Sequence, residues 1–383
     1  MFLERLIKFF ASLRLTVACL GLGMVLIFTG TLAQVPLGLY QAQNEYFRSF
    51  FVYWQPGHFP WKIPVLPGGY LLGGVLLLNL VAAHSERFSL SRKKAGIWMI
   101  HFGLILLLLG QLLTDMLAHE SSLHLRVGEA RNYSEADRAF ELAITDVTDK
   151  DADKVVAIPE RLLLKQGTIN NSQLPFAVKV DKFYPNSAVT NQAAAGYEAA
   201  GVNAGFGATG IWLKSEPKET DMDLRDLPSG IIDIVTPSGS AGSFMISAYF
   251  GAAQQFTTGG RTYTMILRME RFYMPYSLRL LEFKHDIYKG TDVPKAFSSR
   301  LVLDRPQTGE HRDVLIYMNN PLRYDGVTFY QASFDPDDGG TVLQVVHNPS
   351  WITPYLACIL VGAGLITQFL SHLIPFLKRK RTL

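Results

Sequence analysis

The sequence predicts a polytopic membrane protein with four transmembrane α-helices and one large, mainly-β domain outside the cytoplasm. Three observations support this fold class. Four segments are apolar and approach the ~20 residues that a helix needs to cross a bilayer. The long stretch 118–350 shows strand-like patterns and frequent turn signals. Lys and Arg gather on one side of the four segments, as the positive-inside rule requires.

The four predicted spans lie near the two ends of the chain. They are, in order, Leu15–Ala33, Gly68–Ala83, Ala95–Leu117 and Trp351–Leu377. A membrane region, 1–117, therefore holds three spans, and 351–383 holds the fourth span and a basic tail. The second span is short and contains Asn79. The first is longer than the ~7–15-residue apolar core of a signal peptide, so we interpret it as an anchor that stays.

The distribution of basic residues predicts the orientation. The N-terminus, the link "SERFSLSRKK" after span two and the tail "LKRKRTL" are all rich in Lys and Arg. The loop 34–67 holds only Arg48 and Lys62 and many aromatic residues. We therefore expect both termini in the cytoplasm, with 34–67 and 118–350 on the outer face.

The outer domain, 118–350, is expected to be rich in strands. "TYTMILRMERFYMPYSLRLLEF" and "GTVLQVV" alternate or are rich in β-branched and aromatic residues, and "YPNS", "VTPSGS" and "DPDDGG" are turn signals. The Ala- and Gly-rich segment 191–210 predicts a surface loop. We find no Ser–His–Asp signature, phosphate-binding glycine loop or HExxH in this domain. Nothing in it argues for an enzyme.

Composition excludes several function classes. The net charge is +3, which predicts no nucleic-acid surface. The two cysteines, Cys19 and Cys358, lie in apolar runs, and the sequence has no CxxC or CxxCH. We therefore expect no thiol–disulfide chemistry, no cysteine zinc site and no covalent haem attachment to this chain.

One histidine interrupts the third span, in "WMIHFGLILLLLG". His101 lies six residues after Ala95, or ~9 Å along a helix. Gly96, Gly103 and Gly110 recur every seven residues and form a stripe on which another helix can pack closely. His101 is about 200° around the helix from Gly103. It should therefore face a second partner or a cavity.

A histidine at this depth is costly unless it is paired, which makes it a candidate functional residue. Two interpretations remain open for His101. It either forms a hydrogen bond to a neighbouring helix or ligates a metal. Neutral imidazole binds haem iron well, and the apolar surroundings suit a porphyrin. No local motif decides between these interpretations.

Other residues near the predicted inner membrane surface are weaker candidates. His84 and His372 lie at a similar level and could share a haem entry site or a proton path, or simply lie at the interface. His58, in "YWQPGHFPW", is explained by a loop resting on the membrane or by a haem contact. Four basic residues either receive haem propionates or only satisfy the positive-inside rule: Arg87, Arg92, Lys93 and Lys94.

Four stretches of the sequence are distinctive: "ASLRLTVACL" with "FTGTLAQ", "IHFGLILLLLG", "MNNPLRYDGVTFYQASF" and "NPSWITPY". Through them the chain resembles the ResB family, also called CcsB, over nearly the whole length. The third is the most specific, and its residues alone predict a turn at Asp325-Gly326 and a strand. The resemblance implies system II cytochrome c biogenesis, in which a CcsA-type partner and this protein deliver haem b to apocytochrome c.

By position, His101 matches the family's third-span histidine, which is implicated in haem ligation. The second axial ligand would come from the partner. The partner's tryptophan-rich haem-handling motif is missing here, so the resemblance implies a subunit that is non-catalytic by itself. It also implies a bacterial inner membrane, with a thylakoid membrane as the alternative, and contacts with membrane lipids.

Two other functions remain open at this point. The chain could be a structural scaffold that anchors the partner and recruits apocytochrome c without binding haem. It could also be a b-type electron-transfer subunit, which would need two axial ligands within the chain. His84 or His372 would then pair with His101.

Overall fold

The computed structural model describes residues 2–57, 61–86, 94–149, 153–221, 224–290 and 294–381. The chain divides into two compact units. The helical unit comprises Met1–His119 and Asn348–Leu383 with the short segment 220–222, and the β unit comprises Glu120–Glu219 and 223–347.

The helical unit contains five helices and one small hairpin among its described residues. The helices are α1 (Phe2–Phe10), α2 (Leu13–Ala42), α3 (Gly69–Glu86), α4 (Ala95–Leu117) and α6 (Thr353–Arg381). A π-helical turn, Gln43–Phe47, follows α2, and the antiparallel hairpin β1 (Phe51–Trp54) and β2 (Ile63–Pro67) precedes α3. Three stretches are long and apolar enough to span a membrane: Leu13–Phe47, Ala95–Leu117 and Thr353–Leu377.

The predicted spans agree with the helices to different degrees. The third span and α4 have the same bounds, and the fourth lies largely within α6. The second lies in α3, an apolar helix of 18 residues that is shorter than the three long ones, so a fourth span is not confirmed.

Helix α2, which contains the first predicted span, continues into the predicted loop 34–67 and ends at Ala42. The residues of this helix are mostly apolar, and the helix continues past Pro36. It bends at Gly38, whose φ of 75° a glycine adopts without strain.

The glycine stripe of α4 packs against α6. A Cβ built on Gly96 would lie 2.7 Å from the backbone nitrogen of Gln368 and 2.7 Å from the backbone oxygen of Gly364. A Cβ on Gly103 would lie 2.6 Å from Val361 Cγ2, and Gly110 faces Thr353. This packing confirms the prediction that the stripe admits a second helix at close range.

Asn79, the polar residue of α3, is buried and fully hydrogen-bonded. Its Oδ1 accepts from Thr16 Oγ1 at 2.7 Å. Its Nδ2 donates to the backbone oxygens of Phe10 and Ser12, at 2.5 and 3.1 Å. Because a buried amide without partners is costly, these bonds explain how the residue is accommodated in an apolar helix. They fasten α3 to the junction of α1 and α2.

The β unit confirms the prediction of a large, mainly-β domain. Its strands are β3 (His119–Arg126), β4 (Ala130–Asp146), β5 (Lys154–Pro159), β6 (Gly167–Ile169), β7 (Ala177–Tyr184), β8 (Ser187–Thr190), β9 (Glu198–Ala199), β10 (Trp212–Ser215), β11 (Ser229–Thr236), β12 (Gly239–Ser247), β13 (Gln254–Thr258), β14 (Arg261–Ile287), β15 (Pro294–Arg305), β16 (Glu310–Tyr317), β17 (Leu322–Tyr324), β18 (Val327–Phe334) and β19 (Gly340–His347). One helical turn, α5 (Glu160–Leu163), follows β5.

The strands form three sheets. The largest has ten strands in the order β16-β15-β14-β4-β3-β19-β18-β17, with β13 paired to β14 and β5 to β4. A four-stranded sheet has the order β12-β11-β7-β6, and a three-stranded sheet has the order β8-β10-β9. The long strand β14 lies between β15 and β4 in the largest sheet and contributes to two apolar clusters. Its first half belongs to one cluster with Ile232 and Phe244, and its second half to another with Leu301 and Phe329.

The segment "MNNPLRYDGVTFYQASF" forms the predicted turn and strand. Tyr324 pairs with Val327, so Asp325 and Gly326 form a two-residue hairpin between β17 and β18. Both have positive φ, 51° and 77°, the conformation that a type I′ turn requires and that Asp-Gly favours.

The Ala- and Gly-rich segment 191–210 is largely exposed and mostly without regular structure, as its composition predicts, but parts of it pack on the β unit. It contributes β9 and a 3₁₀ turn, Phe206–Thr209. A Cβ on Gly207 would lie 2.6 Å from Met245 Cβ, and Ala200 is buried. The small residues therefore let this segment pack closely on β12.

One buried hydroxyl in the β unit provides a test of how an unpaired polar group affects the free energy of unfolding. Tyr276 is 2 % exposed, and its Oη has no hydrogen-bond partner among the described residues. Burial raises the pKa of this phenol. We expect Tyr276→Phe to leave the free energy of unfolding unchanged or to raise it by up to about 1 kcal/mol, because an unsatisfied buried group is removed.

Chemical denaturation of the full chain checks this expectation. Tyr184 is the matched control, since its Oη donates to Glu198. Tyr184→Phe should lower the free energy of unfolding by about 0.5–1.5 kcal/mol. A larger loss at Tyr276 than at Tyr184 would show that the Tyr276 hydroxyl has a stabilising partner.

Candidate functional site

The structure brings two of the candidate histidines together. His84, in the last turn of α3, and His101 of α4 have ring centroids 4.7 Å apart and ring planes inclined by 53°. His101 therefore lies on the side of α4 that faces α3, while the glycine stripe packs on α6. The second partner that the helical spacing predicts for His101 is His84.

Hydrogen bonds to the backbone define which nitrogen of each histidine ring carries the proton. His84 Nδ1 lies 3.0 Å from the backbone oxygen of Leu80, and His101 Nδ1 lies 2.8 Å from that of Ile97. A carbonyl oxygen can only accept, so Nδ1 carries the proton in each ring. When the ring is neutral, Nε2 then presents a lone pair directed away from the backbone of its own helix. A backbone carbonyl on the non-ligating nitrogen is the usual arrangement of a metal-binding histidine.

Trp98 completes the contacts of His84. Its ring lies edge-on to His84, with the centroids 4.7 Å apart and the planes at 82°. Trp98 and His101 are three residues apart on α4 and therefore share a face of that helix. His84 thus packs against two rings of α4, which restricts where its own ring can move.

The other candidates differ from this pair. His372 is exposed, and its Nε2 lies 2.8 Å from the Gln368 amide nitrogen one turn earlier on α6, so its lone pair is engaged. Lys94 is exposed and occupies the N-cap position of α4 without a side-chain capping hydrogen bond. The remaining candidates lie outside the described residues: His58, Arg87, Arg92 and Lys93.

The ring separation limits how the pair can bind a haem. With a metal–nitrogen bond of about 2.0 Å, two imidazole centroids lie about 6.4 Å apart when both rings bind opposite sides of one iron. The observed 4.7 Å is too short for that arrangement. Either ring alone has the donor atom and the anchored tautomer that an axial ligand needs. The pair therefore fits one axial imidazole, with the opposite ligand from elsewhere.

Sequence reasoning missed a polar cluster at the other end of α4. Asp115 is mostly buried and lies 3.0 Å from Arg48 Nε, and it also accepts a hydrogen bond from Tyr70 Oη. The cluster joins the N-terminal end of α3 and the segment before β1 to the C-terminal end of α4. An acidic residue in "LLTDML", the last turn of an apolar span, was the signal available in the sequence.

The β unit contains an open cavity of about 360 Å³. Its lining includes Asp146, Lys154 and Arg261. Hydrogen bonds from Thr148 and from Arg261, whose Nη1 lies 2.7 Å away, lower the pKa of Asp146 to about 2. The Asp146 carboxylate therefore already forms hydrogen bonds with Thr148 and Arg261 of the same chain.

The helices and the β unit together define a membrane protein with a large β domain. Comparison with known proteins specifies the class further. Residues 237–342 match the ResB-like family. This region runs from the turn before β12 into β19 and includes the Asp325–Gly326 hairpin, so it lies within the β unit and does not reach the histidine pair.

Two relatives agree with this assignment. Protein NrfI of Wolinella succinogenes is 25 % identical over 304 residues, which are 78 % of this chain and 30 % of that protein. Cytochrome c biogenesis protein CcsB of Picosynechococcus sp. is 34 % identical over 83 residues, 21 % of this chain and 17 % of that protein. The chain thus spans less than a third of the length of these relatives. It carries a ResB-like region, and its resemblance to the ResB/CcsB family is confirmed.

Proposed function

We propose that this chain is a haem-handling subunit of a system II cytochrome c synthase, acting with a CcsA-type partner to deliver haem b for covalent attachment to apocytochrome c. The match to the ResB-like family and the name of one relative, cytochrome c biogenesis protein CcsB, support a role in cytochrome c biogenesis. The observation that carries the proposal is His101: an apolar helix holds this ring by Nδ1 and leaves Nε2 available.

In this proposal His101 is the axial ligand that the chain contributes. A bound haem supplies an iron centre with axial positions for imidazole nitrogen. The bond from His101 Nδ1 to Ile97 fixes the tautomer and the ring orientation, so that Nε2 is unprotonated without further rearrangement. The partner supplies the second ligand, because the His84 ring is too near to bind the opposite side of the same iron.

The other candidate contacts have supporting roles in this proposal. His84 and His58 are weaker candidates for contacts with the haem, whereas we expect none from His372, because its Nε2 accepts a hydrogen bond from Gln368. Arg87, Arg92, Lys93 and Lys94 would receive its anionic propionates at the inner mouth of α3 and α4. Both contacts would be transient, since the haem is delivered rather than kept.

We place the chain in a bacterial inner membrane, with a thylakoid membrane as the alternative. The basic segments place both termini in the cytoplasm and the β unit on the outer face, where apocytochrome c is met. This topology requires α3 to cross as well. Its 18 residues extend ~27 Å, close to the ~30 Å of a hydrocarbon core. The subunit would be non-catalytic by itself and would contact membrane lipids.

Two alternative functions make different predictions about haem. A scaffold that anchors the partner and recruits apocytochrome c would bind no haem; the size of the β unit favours this candidate. A b-type electron-transfer subunit would bind haem between two histidines of this chain. The separation of His84 and His101 argues against that pair, and His372 Nε2 already accepts a hydrogen bond from Gln368.

Absorption spectra of the purified full-length chain test the proposal. We expect reduced haem bands when the chain is purified together with a CcsA-type partner, and loss of most of that haem in His101→Ala. His372→Ala is the matched control, because that ring is exposed and engaged with Gln368, and it should keep the bands. Bands that are unchanged in His101→Ala would contradict the proposal. Absence of haem with the partner present would favour the scaffold.

A further inference from the structure

We propose that His84 and His101 form a two-imidazole site for a divalent transition metal of the Cu²⁺, Ni²⁺ and Zn²⁺ group. This binding activity does not depend on haem ligation, but it uses the same nitrogen of His101, so the metal and a haem would exclude each other at this residue. The site would link the end of α3 to the first part of α4.

The first argument is that both histidine rings have the tautomer that leaves Nε2 as an acceptor. Both Nδ1 atoms are engaged with backbone carbonyl oxygens, so both neutral rings leave Nε2 as an acceptor. Two such lone pairs on neighbouring rings in an apolar setting favour a shared cation over any direct bond between them. Imidazole nitrogen is a ligand that Zn²⁺, Cu²⁺ and Ni²⁺ accept readily.

The second argument is the distance between the rings. Two imidazoles on adjacent positions of one ion have centroids about 4.5 Å apart at a right angle and about 5.2 Å apart at a tetrahedral angle. The observed separation of 4.7 Å lies between these values. The same ring separation is therefore too short for a haem iron bound between the rings but suits a small ion that both rings bind at adjacent positions.

The third argument is that the orientation of both rings is fixed before any ion binds. Each ring is tied to its own helix through Nδ1, and Trp98 packs edge-on against His84. Little side-chain entropy remains to be lost when an ion binds. Both rings are only half-buried, so protein atoms of the described residues do not block the remaining coordination positions. Two neutral ligands do not neutralise the ion, so we expect moderate affinity rather than a permanent metal centre.

Copper titration of the haem-free chain tests the proposal. The full-length protein, without any polyhistidine tag, would receive one equivalent of Cu²⁺ in detergent and be examined by electron paramagnetic resonance. We expect nitrogen couplings from two imidazoles in the wild type. His84→Ala and His101→Ala should each lose one imidazole and weaken binding by about tenfold or more in a competition titration. His372→Ala should match the wild type.

Three results would overturn the proposal. The first is a wild-type spectrum with fewer than two imidazoles at one equivalent. The second is a two-imidazole spectrum that persists in His84→Ala, and the third is an equal loss of binding in His372→Ala. Should His84→Ala fail to fold, His84→Gln keeps a polar side chain at the same position, and it must likewise lose one imidazole from the spectrum. Because no haem is present, failure here leaves the haem proposal untouched.

Discussion

Phe329→Ala is expected to lower the free energy of unfolding of the β unit by about 3–5 kcal/mol, the cost of removing a fully buried aromatic ring and leaving a cavity. Phe329 is 0 % exposed and lies in an apolar cluster with Leu301, Leu343 and Tyr276. It belongs to β18, directly after the Asp325–Gly326 hairpin. Chemical denaturation of the full-length chain, followed by near-ultraviolet circular dichroism, measures the effect.

Tyr330 is the matched control for this substitution. It is the next residue of β18, points to the opposite face of the sheet and is 36 % exposed. Tyr330→Ala should change the free energy of unfolding by less than about 1 kcal/mol. Similar losses at both positions would mean that β18 is not buried on the face that the structure shows.

Gly96→Ala is expected to destabilise the contact between α4 and α6 by about 1–3 kcal/mol, the range for overpacking a close contact. The added Cβ would meet backbone atoms of Gln368 and Gly364 at 2.7 Å, and backbone cannot move aside as a flexible side chain can. The two helices would have to separate locally. Thermal unfolding of the full-length chain in detergent should show a lower midpoint.

Gly73→Ala provides the comparison within the same unit. Gly73 lies inside α3, and its Cβ would meet nothing described within 4 Å. Alanine is the better helix former, so this substitution should be neutral or stabilising. An unchanged midpoint for Gly96→Ala would show that α6 packs elsewhere on α4.

Local patterns in the sequence predict local structure well. The apolar run of the third span has the bounds of α4, and Asp325-Gly326 forms the turn that the dipeptide favours. The seven-residue spacing of glycines predicts a contact face because it depends only on the helical repeat. Each of these features is decided within a few residues of chain.

Features that depend on packing between distant segments could not be predicted in the same way. Helical spacing shows that His101 faces away from the stripe, but it does not name the neighbour. That neighbour, His84, depends on how α3 and α4 cross. The cluster around Asp115 likewise joins three segments that are separate in the sequence. The segment 191–210 is the surface loop that its composition predicts, but the close packing of Gly207 on β12 could not be foreseen, because small residues serve both flexible loops and close packing.

Asn79 has a mechanical consequence for the helical unit. Its side chain uses its oxygen and its amide group on Thr16, Phe10 and Ser12, so one residue ties α1, the start of α2 and α3 together. His84 lies five residues further along α3, or ~7.5 Å. The packing of α3 on the N-terminal helices therefore helps to fix where the His84 ring lies, just as the glycines of α4 fix that helix against α6. The alignment of the two imidazoles thus depends on a buried amide about one and a half helical turns away from His84.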